Sequence, residues 1–75
     1  MQIIISAIAV PTSNNKFYPH FSFVEKIGNT MTGVNFEMEN INYFDTEEEA
    51  LSTARLMAES EVKKMYGNDI DFIFI

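Results

Sequence analysis

The chain has 75 residues, 47% of them hydrophobic, and a net charge of −6 at pH 7. That length holds one domain, residues 1–75, and the apolar content excludes a disordered acidic tail. The absence of cysteine excludes disulfides, zinc–thiolate centres and thiol nucleophiles.

Gln2 to Val10 reads as a strand, with Ile3 and Ile5 pointing one way and Ile4 and Ile8 the other. A strand apolar on both faces belongs inside a sheet rather than at its edge. The cluster Pro11-Thr12-Ser13-Asn14-Asn15 supplies a turn. Phe17 to Ile27 reads as a second strand. Phe17, Phe21 and Phe23 share one face; Tyr18, His20, Ser22, Val24 and Lys26 share the other. Pro19 cannot donate to a ladder and is expected to mark a bulge or the strand's beginning. The residues from Gly28 to Gly33 read as a second turn with Met31 near its tip. Val34 to Met38 then alternates Val34, Phe36 and Met38 with Asn35, Glu37 and Glu39, the pattern of a half-buried strand. Asn40 to Phe44 is expected to continue it past an irregularity.

The period then changes from two to that of a helix. Thr46 is the expected N-cap, with Glu49 three residues on completing a capping box. Glu47, Glu48 and Glu49 complement the positive end of the helix dipole. Leu51, Ala54, Ala58, Val62 and Met65 form one apolar stripe. Lys63 and Lys64 fall in the last turn, and Gly67 follows as a stop. Ile70 to Ile75 is a short apolar strand.

The order β-β-β-α-β places two hairpins before the helix. The fourth strand returns parallel to the first by a right-handed crossover. The expected fold is α+β: a mixed four-stranded sheet of order 4-1-2-3, with one amphipathic helix packed on one face. The other face stays uncovered, with Tyr18, Val24, Ile4 and Ile8 on it, and is a candidate dimer or partner interface.

The charge distribution carries the functional reading. From Gly28 to Ala54 there is no Lys or Arg, yet the span holds Glu37, Glu39, Asp45, Glu47, Glu48 and Glu49. A concentrated negative field repels nucleic acid and membrane phosphates and attracts basic protein surfaces. Those six acids are the candidate partner-binding residues. Helix capping by Glu47 and Glu49 and ordinary strand exposure of Glu37 and Glu39 explain the same acids without a partner. His20 is the one histidine and stands beside no marked nucleophile, so no catalytic residue is assigned. The pairs Glu37/Glu39 and Asp69/Asp71 have oxygen donors but no EF-hand spacing, so no metal site or cofactor is expected. The five Lys and Arg residues are scattered, so no direct nucleic-acid contact is expected. The start Met1–Ala9 has a short apolar run but no basic segment before it, and no stretch reaches the length of a membrane span. The expected location is cytoplasmic, away from membranes.

The segment Tyr43-Phe44-Asp45-Thr46-Glu47-Glu48-Glu49-Ala50-Leu51 is a strand-to-helix junction. With the size, acidity and α+β build of the whole chain, it resembles small inhibitor proteins of phages and mobile elements, the anti-CRISPR proteins among them. The resemblance implies a stoichiometric, non-enzymatic inhibitor that binds a nucleic-acid-handling protein, such as a host-defence complex, and blocks its basic groove as a nucleic-acid mimic. The competing expectation is a self-associating module, a homodimer formed through the uncovered sheet face and Phe72-Ile73-Phe74-Ile75.

Overall fold

Alternation of apolar side chains and two tight turns build most of the molecule. The computed structural model describes residues 1–34 and 42–75. Strands β1 (Gln2–Pro11), β2 (Phe17–Ile27) and β3 (Thr30–Val34) precede helix α1 (Glu47–Tyr66) and strand β4 (Asp71–Phe74). They form a mixed four-stranded sheet of order β3-β2-β1-β4 with one helix, an α+β fold. Strand β1 lies antiparallel to β2 and parallel to β4, as expected, and β2 lies antiparallel to β3.

The first hairpin is closed by Thr12. Its hydroxyl donates to the carbonyl of Lys16 (3.0 Å) and accepts from the Lys16 N–H (3.3 Å), while Asn15 takes φ 59°. Local bonding by Thr and a left-handed Asn are the turn chemistry the sequence advertises. The β1–β2 register then runs without a break from Pro11↔Phe17 to Gln2↔Lys26. Pro19 sits within this ladder opposite Ala9, with no bulge, which corrects the expectation placed on it. Phe17, on the same side of the alternation, donates and accepts away from β1, to Phe44. The Pro19 nitrogen therefore also faces away from β1, and its missing N–H takes no bond from that ladder.

The second turn is tighter than the sequence suggests. Ile27 pairs with Thr30, so only Gly28 and Asn29 make the connection, and Gly28 takes φ +60°. Glycine with positive φ at the first central position belongs to a two-residue hairpin. Thr30–Val34 is consequently strand, and β3 begins four residues before the expected Val34; Met31 lies in it opposite Lys26 rather than at a loop tip. The expected strand residues Asn35–Met38, with Phe36, and the stretch Asn40–Ile41 lie outside the described residues.

Ile3, Ile5, Phe21 and Phe23 from the sheet meet Ala58 and Val62 of the helix in the core, with Met57, Tyr66, Ile70 and Phe72 packed around them. Along α1 the buried residues are Ala50, Ala54, Ala58 and Val62, an unbroken spacing of four. The expected stripe is therefore displaced at its ends. Leu51 is half-buried and Met65 is exposed. The reason is steric: a helix lying close on a sheet turns its smallest side chains to the line of closest approach, and Ala50 meets that need better than Leu51. Gly67 ends the helix at φ 87°, its N–H bonding the Lys63 carbonyl (2.9 Å). No helix among the described residues is long and apolar enough to cross a membrane.

The helix covers the face carrying Ile3, Ile5, Phe21 and Phe23. The register places the opposite face row by row: Met31–Lys26–Gln2–Asp71, then Gly33–Val24–Ile4–Ile73, then Ser22–Ser6, His20–Ile8 and Tyr18–Val10. Strand β4 pairs only with Gln2–Ile5, so the sheet narrows toward the Pro11 end.

Candidate functional site

An antiparallel bridge assembles the acidic end of the molecule. Phe17 and Phe44 exchange backbone hydrogen bonds of 2.8 and 2.7 Å. In such a pair the residue before one partner opposes the residue after the other. Lys16 is thereby brought to Asp45, and the two form an ion pair. Both side chains are solvent-exposed, 48% and 76%, so the pair contributes at most about 1 kcal/mol. It does cancel the Asp45 charge locally.

Thr46 then caps the helix. Its hydroxyl accepts from the Glu49 N–H (3.1 Å) and donates to the Glu49 carboxylate (2.9 Å). The reciprocal contact therefore runs hydroxyl to carboxylate, a variant of the expected box. Glu47 and Glu48 occupy the same first turn, are exposed, and form no ion pair among the described residues.

Of the six acids expected to meet a partner, Asp45, Glu47, Glu48 and Glu49 are thus collected at one helix start. Asp45 is neutralised by Lys16, and Glu49 is engaged by Thr46. Glu37 and Glu39 lie outside the described residues. Lys16 was not legible as a neighbour of this cluster. It stands 29 residues from Asp45, and only the Phe17–Phe44 bridge joins them.

At the far end of the helix, the Tyr66 hydroxyl donates to the Glu25 carboxylate across from β2. Burial, with the hydrogen bond and charge of Glu25 adding to it, pushes the phenol up to about 12. That contact fastens the helix to the sheet. A shallow open cleft is lined by Met1, Gln2, Lys26, Gly28 and Asp71. Among the described residues, no three His, Asp or Glu side chains converge as metal ligands.

The sheet face that no described element covers is the other surface of note. Ile8 is 49% exposed, Ile73 43% and Met31 58%. At its narrow end Tyr18 meets Tyr43 edge to face, ring centroids 6.0 Å apart. No family model matches the chain, and neither the curated proteins nor the solved structures contain a match to it.

Proposed function

We propose that this chain is a non-enzymatic protein-binding protein. In this reading its acidic helix start docks on a basic, nucleic-acid-binding surface of a partner such as a host-defence complex, and inhibits it. The observation that carries the reading is the pair Glu47 and Glu48. Both are exposed, neither is in an ion pair among the described residues, and both stand at a helix end where Glu49 adds charge. The capping contacts engage Thr46 and Glu49 and not Glu47, the other acid expected to cap; Glu47 and Glu48 complement the helix dipole from the first turn and leave their carboxylates to solvent. Charge of this kind accelerates association with a basic groove and makes binding weaken as salt rises.

The test is a tagged pull-down from host lysate at low and at high salt, followed by titration of the captured partner with variants. Glu47→Lys with Glu48→Lys, and separately Glu37→Lys with Glu39→Lys, are expected to abolish capture while circular dichroism stays unchanged. Undiminished affinity in both charge-reversed proteins would overturn the reading.

A further inference from the structure

We propose that a second copy of this chain covers the open sheet face, about a two-fold axis parallel to the strands, with Ile73 of each copy over Gly33 of the other. This goes beyond the acidic-docking reading and does not depend on it.

Three observations point to a second copy rather than another occupant. The first is shape. The row Gly33–Val24–Ile4–Ile73 crosses all four strands, with a bulky exposed Ile at one end and no side chain at the other. An added Cβ at Gly33 would meet nothing within 4 Å among the described residues, so open space lies over its backbone. Turning the row about an axis along the strands reverses it. Each Ile73 then meets a Gly33, which has no side chain, each Ile4 meets a Val24, each Ile8 meets a His20, and each Val10 meets a Tyr18. An isologous interface requires this self-complementarity of one patch.

The second observation is charge. The chain carries −6, yet among the described residues this face holds only Lys26 and Asp71 as fixed charges, of opposite sign and in one terminal row. A strongly acidic chain can approach its own copy only through a face without net charge.

The third is area. Strand β1 has ten residues, about 33 Å at strand rise, and the named strands among the described residues lie four abreast at one end of the face and two at the other, ~19 and ~10 Å. Two such faces together bring roughly 900–1,000 Å², near the lower bound for a specific interface, which describes a weak, concentration-dependent dimer.

Sedimentation velocity on the purified chain, from micromolar to millimolar concentration, tests this without any partner. The expected result is a monomer–dimer equilibrium that tightens as salt screens the two acidic chains. Ile8→Glu, at an exposed position, is expected to give a folded monomer. Gly33→Val adds side chain into open space in the monomer. It is expected to leave thermal stability unchanged or raised and to weaken the dimer about tenfold or more. A chain monomeric at millimolar concentration would overturn the proposal, and so would a dimer indifferent to Ile8→Glu. A dimer broken by Ile8→Glu but untouched by Gly33→Val would overturn the proposed two-fold register.

Discussion

The Tyr66 hydroxyl is held in its neutral form, because burial and the facing Glu25 carboxylate both oppose a phenolate. Its folded value of about 12 stands above the ordinary 10.0. A raised value means that the contact stabilises fully below the unfolded value and loses its contribution as pH rises through the folded one. Urea midpoints measured at neutral pH and then between pH 10 and 12 should therefore fall with rising pH. Tyr66→Phe should flatten that slope and lower stability by about 1 kcal/mol at neutral pH. At the other helix end, Thr46 offers a comparable handle. Thr46→Ala removes the acceptor for the Glu49 N–H and should cost about 1 kcal/mol by thermal denaturation. Thr46 was readable from sequence because capping is local chemistry. The Tyr66–Glu25 contact was not, because its partners are 41 residues apart and meet only through packing.

Among the elements, α1 shows how burial alone decides tolerance. Ala54 is fully buried against the sheet, while Leu56, two residues on, is 69% exposed. Ala54→Leu should destabilise by about 1–3 kcal/mol, because a larger side chain lifts the helix from the strands. Leu56→Glu should stay within about 0.5 kcal/mol of the parent in the same urea titration. Strands β1 and β2 were legible because Ile3/Ile5 and Phe21/Phe23 alternate strictly. The start of β3 was not. Thr30, Thr32 and Gly33 carry turn-like composition, and their strand conformation comes from pairing with Ile27, Glu25 and Val24 across a two-residue turn. The stripe on α1 was legible in period but shifted in phase. Spacing cannot say whether Ala50 or Leu51 stands closest to a sheet it has not met.

For the whole molecule, the strand order and the single covered face followed from the order of elements and the handedness of the crossover. The composition of the acidic end did not follow, since Lys16 enters it through the fold. The two proposed contacts respond oppositely to ionic strength: docking through Glu47 and Glu48 weakens with salt, and pairing of two acidic chains through the open sheet face strengthens. One preparation examined at two salt concentrations thus separates them.

The parallel pairing of Gln2–Ile5 with Asp71–Phe74 also has a mechanical meaning. Tension applied through Met1 and Ile75 pulls neighbouring parallel strands in opposite directions along their length. Their hydrogen bonds lie across that direction and are loaded together, in shear, instead of being peeled apart one at a time. Forced unfolding reports the barrier rather than the equilibrium. A marginally stable 75-residue chain held this way should resist pulling from Met1 and Ile75 far better than pulling from Met1 and Gly28, the adjacent ends of the antiparallel β1–β2 hairpin, which a single-molecule tether can compare directly.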